Sequence, residues 1–167
     1  MAFGTLSVKG RALRYLAQRE HSRCELDRKL ARHVEDTAQA PAQQQISNAL
    51  DELHAKGFIN EARVAESVLA AKAPRFGVFR LKQTLRNKGL APELIASTLL
   101  QAQPSEFERA LGLWQRRFGT APGDAKERAR QMRFLAGRGF ASDTVRRVMG
   151  DVMDNMTDRA ANTPEDD

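Results

Sequence analysis

The chain has a single cysteine, Cys24, so it cannot form an internal disulfide and suits a reducing compartment. Aromatic residues make up 6% of it, which leaves little material for walling a deep ligand cavity. No apolar run approaches the ~20 residues that a membrane-spanning helix needs. The opening MAFGTLSVKGRAL lacks the apolar core and cleavage site of a signal peptide, so we expect a soluble, cytoplasmic protein. There is no P-loop, no G-x-S-x-G and no H-E-x-x-H. Of the three histidines, His21, His33 and His54, His33 has no second His or Cys at ligand spacing on its helix, and Cys24 stands alone, so structural or surface histidines are expected rather than a metal site. The expectation is therefore no enzyme, no metal and no cofactor. Runs of alternating β-branched residues are also missing, and helix formers dominate, so the class is all-α.

What is present is a repeat. In LKQTLRNKGLAPELIASTL, Leu81 and Leu85 lie four apart on one helix face. Gly89 stands where a left-handed residue ends a helix, Leu90 is placed to fold back, and Pro92 and Glu93 suit a helix start. Fifty positions later comes QMRFLAGRGFASDTVRRVM, which sets Leu135, Gly139, Phe140, Val145 and Met149 on Leu85, Gly89, Leu90, Ile95 and Leu99. An earlier relative pairs Leu26 and Leu30 with Ile46 and Leu50 across the polar loop VEDTAQAPAQQQ. Such a period points to stacked helical modules.

Helix by helix, the pattern predicts nine helices in three groups of three. Val8, Ala12, Leu13 and Leu16 face inward on the first, followed by a capping box at Ser22–Glu25 and an apolar stripe of Leu26, Leu30 and Val34. Ile46, Ala49, Leu50 and Leu53 line the third, which stops at Gly57 with Phe58 packing back. Asn60 caps a helix with Val64, Val68 and Leu69 inside. A second capping box is expected at Ser105–Glu108, ahead of Phe107, Leu111, Trp114 and Phe118. Asp124 caps the next helix, whose inner face is Ala129, Met132 and Leu135, and Ser142 starts the last. The expected domains are residues 1–59, 60–102 and 103–152, followed by an acidic tail, 153–167, expected to be disordered.

The net charge of +6 is unevenly spread. Through Gly150 there are 26 Lys/Arg against 15 Asp/Glu, and in the last seventeen residues one against six. A basic body suits a polyanion or an acidic groove. Lys72, Arg75, Arg80, Lys82, Arg86 and Lys88 fall within seventeen residues that contain no acid, so intrachain pairing offers that run nothing at short range. Arg116, Arg117, Arg128, Arg130, Arg133, Arg138, Arg146 and Arg147 form a second series. Phe76 and Phe79 lie inside the first cluster, where core packing is the expected role rather than base stacking.

Three segments in order, ALRYLAQREHSRCELDRKL (12–30), LDELHAKGFINEARVAESVLAAKA (50–73) and LKQTLRNKGL (81–90), resemble the RecX regulatory family, modulators of the RecA recombinase. The likeness covers roughly residues 8 to 150. Val64 replaces a usual Phe, and Arg75-Phe76-Gly77-Val78-Phe79 replaces a Gly-x-Gly-Pro segment. The resemblance implies an elongated, curved, monomeric array of three tandem three-helix, helix-turn-helix-like repeats. It also implies binding in the groove of the RecA–DNA filament, with inhibition of filament growth, strand exchange and the recombinase ATPase. DNA repair, recombination and the SOS response would be modulated in this way, with contacts to single- and double-stranded DNA as a further implied property. On that basis Lys72, Arg75, Arg80, Lys82, Arg86 and Lys88 are the expected contact face, helped by Arg128, Arg130, Arg133, Arg146 and Arg147. Arg19, Arg23 and Lys29 match the family's opening pattern and are candidates too, while Tyr15 and Glu25 beside them are expected to be structural. The alternative is a general DNA-binding protein built of tandem helix-turn-helix modules; a peptide-binding scaffold would need a spare apolar stripe, and none is visible.

Overall fold

The computed structural model describes the backbone of residues 6–161 and the side chains of residues 6–155. Among these residues all regular structure is helical. The helices are α1 (Val8–Leu16), α2 (Arg23–Leu30), α3 (Ala42–Ala55), α4 (Glu61–Lys72), α5 (Val78–Asn87), α6 (Pro92–Ala102), α7 (Glu106–Arg117), α8 (Ala125–Gly137) and α9 (Ser142–Ala161), with a 3₁₀ turn at Ala73–Arg75. No helix is long and apolar enough to cross a membrane. The chain divides into two compact units, Met1–Ser67 with Leu85–Ile95, and Val68–Thr84 with Ala96–Asp167. The division passes through α4, α5 and α6.

The first unit closes over Ala12, Leu26, Leu30, Ile46, Leu50, Leu53 and Ile59, with Val8, Leu13, Tyr15, Leu16 and Val34 at the margins. Its helix signals act as their chemistry requires. Ser22 forms a full capping box, accepting the Glu25 N–H at 3.2 Å and donating its own N–H to the Glu25 carboxylate at 3.0 Å. Asn60 accepts the Arg63 N–H at 3.0 Å. One expectation fails here. Phe58 is 48% exposed and Ile59 is buried in its place. Gly57 follows the third helix of its group, where the chain passes on to α4, and the side chain turned inward is the second after the glycine.

The second unit is built on Ala110, Leu113, Trp114, Leu135, Phe140, Val145, Val148, Met149 and Val152. The repeat holds at its key positions: Leu85, Leu90 and Ile95 are buried, as are Leu135, Phe140 and Val145. Gly89 and Gly139 both have the expected positive φ, +74° and +81°. On α8, however, Gln131 takes the buried place beside Leu135, while Ala129 and Met132 are half-buried. The reason is polar satisfaction: the buried indole of Trp114 donates to Gln131 Oε1 at 2.7 Å, and Gln131 Nε2 donates to Glu127 at 3.2 Å.

Ser105 does not cap α7 through its side chain. Its hydroxyl donates to the Ala102 carbonyl, and Glu106 turns inward to bind elsewhere. Asp124 does cap α8, at 2.7 Å from the Glu127 N–H. Helix α9 runs on to Ala161, past the expected start of the tail at 153, because neither Gly nor Pro interrupts residues 151–161. Residues 162–167 lie outside the described region.

Candidate functional site

In the second unit the basic run is held by its backbone. Arg109 on α7 donates from Nη1 to the Ala73 and Phe76 carbonyls, both at 2.7 Å, and from Nη2 to the Ala102 carbonyl at 2.8 Å. Glu106, 5% exposed, accepts the Val78 N–H at 2.8 Å and the Thr144 hydroxyl at 2.9 Å, so a buried carboxylate caps the start of α5. The Gly77 and Phe79 N–H groups donate to the Arg138 and Gly139 carbonyls at 3.0 and 3.1 Å.

These bonds present one side of residues 72–80 to solvent. Lys72, Arg80 and Arg138 lie 5.9, 6.0 and 5.7 Å from the centre of the Phe76 ring. Phe76 is half-buried under them. Phe79, expected in the core, is 61% exposed, because Leu81 takes the buried position at the start of this helix. None of Lys72, Arg75, Arg80, Lys82 or Arg138 forms an ion pair among the described residues. Arg128 and Arg133 are likewise exposed and unpaired there. By contrast Arg130 pairs with Glu127 at 2.7 Å, Arg146 pairs with Asp143, and Arg147 lies 4.7 Å over the Phe107 ring.

The first unit treats its cations differently. The turn at Gly89 seats on the start of α2, where a Cβ on Gly89 would come within 2.7 Å of Cys24 Cβ. Ser22 Oγ donates to the Lys88 carbonyl at 2.5 Å, and Arg28 to the Asn87 carbonyl at 3.2 Å, so α2 satisfies the carbonyls that end α5. Lys88 and Arg19 both bind Glu25, at 2.7 and 3.0 Å. Arg23 pairs with Asp51 at 2.8 Å, and Lys29 lies 4.4 Å over the Tyr15 ring. Lys88 therefore does find an intrachain acid, supplied from 63 residues earlier. Arg86 remains exposed and unpaired among the described residues.

Burial alone would raise the Glu25 carboxyl, but hydrogen bonds from Arg19, Lys88 and the Ser22 N–H outweigh it and hold the group at about 2. A carboxyl depressed on folding stabilises above its ordinary range and loses that contribution as pH falls toward 2. With allowance for solvent screening, Glu25→Gln is expected to cost about 1–2 kcal/mol at pH 7. Urea unfolding at pH 7, 4 and 2.5 checks this, since the gap to wild type should narrow steadily at acid pH.

Nearby, His21 is buried, and its Nδ1 faces the Arg19 carbonyl at 3.0 Å. Burial lowers its pKa, so the ring is neutral and Nδ1–H donates to that carbonyl. Its role is structural, while His33 and His54 are exposed. Among the described residues no group of three His, Cys, Asp or Glu side chains could hold a metal ion.

A family model described as the third three-helix domain of RecX matches residues 105–149. A regulatory protein RecX from Leptothrix cholodnii is 52% identical over 144 residues, covering 86% of this chain and 88% of that protein. The chain belongs to the RecX family. A second RecX regulatory protein, from Ralstonia nicotianae, is 43% identical over 144 residues, with 86% of this chain and 87% of that one covered. The crystal structure of RecX from Lactobacillus salivarius has the same fold, with a TM-score of 0.68 at 19% identity over 87% of this chain and 94% of that one.

Within this member of the family the predicted cations fall into two classes. Arg19, Arg23, Lys88, Arg130 and Arg146 are paired with carboxylates of the same chain. Lys29, Lys72, Arg75, Arg80, Lys82, Arg86, Arg128, Arg133 and Arg147 have no carboxylate partner among the described residues, and of these Lys29, Lys72, Arg80 and Arg147 lie over aromatic rings. Three residues that organise the surface were not among those predicted for it: Glu106, Arg109 and Arg138. Arg138 offered a weak signal through its place in the arginine series. Glu106 and Arg109 offered none, since each acts through backbone groups about thirty positions away.

Proposed function

We propose that this chain regulates the RecA recombinase by binding its DNA filament, inhibiting filament growth, strand exchange and ATP hydrolysis by the recombinase. The supporting observation is the set of exposed cations on and around α5 that no carboxylate of the chain engages, Lys72, Arg75, Arg80 and Lys82 in one unit and Arg86 in the other, in a member of a family of regulatory proteins. An unpaired cation keeps its whole field for an external anion, whereas one already bound to a carboxylate must break that bond first. The contact set is accordingly narrowed to these five residues without a carboxylate partner, with Arg128 and Arg133 as auxiliaries.

The test is a recombinase ATPase assay on single-stranded DNA with this protein titrated in. The wild-type chain should slow hydrolysis at substoichiometric amounts. Reversing Arg80, Lys82 and Arg86 to Glu should raise the amount needed for half-inhibition at least on the order of tenfold, with helicity unchanged. Inhibition that survives the reversal would remove α5 from the contact face. A general DNA-binding protein would instead bind naked duplex as well as the filament, with affinity falling steeply as salt rises.

A further inference from the structure

We propose that the outer side of the α4–α5 junction in the second unit is a platform for single-stranded nucleic acid, with Phe79 taking an unstacked base and Lys72, Arg80 and Arg138 holding the flanking phosphates. This rests in part on the regulatory reading above, and it names a ligand for one place on the surface. Phe79 is 61% exposed on the first turn of α5, an aromatic ring left largely in water. Next to it in sequence, Arg80 is held with Arg138 and Lys72 around the ring of Phe76, all three within 6.0 Å of its centre. A ring beneath guanidinium groups restricts their rotamers, so less freedom is lost when they grip a phosphate.

The charge here is uncompensated. Glu106, the carboxylate built into this segment, is buried, with its two oxygens committed to the Val78 N–H and the Thr144 hydroxyl. Three cations around one ring repel each other, and an anion docked among them removes that cost. Bases in a duplex have no free face for Phe79, so the ring should favour the single strand while the cations by themselves would serve either. An acidic protein surface would also engage the cations, but it would make no use of a stacking face, and this is the point on which the test turns.

The full-length chain is titrated into a labelled oligo(dT) of about 16 nucleotides, a length within the usual site sizes, and separately into a hairpin duplex, with anisotropy as the readout. Phe79→Ala should weaken single-strand binding on the order of tenfold and change duplex binding less than twofold. Phe79→Trp should keep the affinity, and its emission should be quenched by the oligonucleotide, whereas Trp114, only 5% exposed, contributes a constant background. Arg138→Gln should lower the salt slope by about one on either strand.

Equal losses on single strand and duplex, an unquenched Trp at position 79, or tighter binding to polyglutamate than to oligo(dT) would each overturn the platform. A chain that binds no oligonucleotide yet still slows the recombinase ATPase would also overturn it, while leaving the regulatory reading in place. Oligonucleotide binding with no effect on the recombinase would do the reverse.

Discussion

Replacing Gly77 by alanine is expected to destabilise the protein by roughly 3 kcal/mol or more, the upper end of what one added methyl group costs in a packed site. Gly77 is not at a positive φ, so backbone freedom is not the issue. Space is. A Cβ there would overlap the Gly139 carbonyl oxygen and the N and Cα of Phe140. Backbone atoms cannot rotate away as a side chain can, so the segment must lift off the α8–α9 turn. Lifting it breaks the Gly77 N–H bond to Arg138 and the Phe79 N–H bond to Gly139, each worth about 1 kcal/mol. Gly57→Ala is the control: Gly57 has φ +74° but nothing within 4 Å, so only the left-handed penalty of about 1 kcal/mol remains. Urea melts of the two variants should therefore separate clearly. A Gly77→Ala protein within 1 kcal/mol of wild type would contradict the close approach of these backbones.

Arg109→Ala is expected to cost about 3 kcal/mol, the order expected when a half-buried charged donor with several backbone bonds is removed. The guanidinium carries three bonds to backbone carbonyls, at Ala73, Phe76 and Ala102. Burial works against its charge and pulls its pKa down, with Glu106 and Glu108 opposing that shift. Alanine would leave all three carbonyls without this donor and open a space beside the 3₁₀ turn. Arg109→Lys keeps the charge but not the planar fork, so it should recover only part of the loss. A second readout separates this from a general loss of stability. Because Arg109 holds the Phe76 carbonyl, Arg109→Lys should weaken oligo(dT) binding measured well below its melting temperature. If binding stays at the wild-type value while stability falls, Arg109 does not position the platform.

Several elements could be read locally. The period of fifty residues, the leucines four apart and the glycine followed by an apolar residue are local signals, and two of the three glycine turns follow them. At Gly57 the same local signal pointed to Phe58, and the inward place went to Ile59. Phe79 and Leu81 are a parallel case. Both lie in an apolar and basic stretch, and nothing within a few residues says which of them the packing of the second unit will take. The candidate surface was legible as a density of cations, but its members could not be sorted in advance. Lys88 looked as free as Arg86 until α2 brought Glu25 against it.

From its order of residues alone, the chain declares helices, their caps at Ser22, Asn60 and Asp124, a threefold repeat and an excess of positive charge. All of these depend on neighbours within a turn or two, where the 3.6-residue period and the reach of a short side chain decide the outcome. Only the folded units decide which cations are engaged, which ring faces water, and that Glu106 and Arg109 hold the 73–78 segment. The Lys88–Glu25 pair and the bonds from Glu106 and Arg109 to the 73–78 segment join residues 28 to 63 positions apart, and pairings at that range are selected by how whole helices pack, which no local pattern encodes.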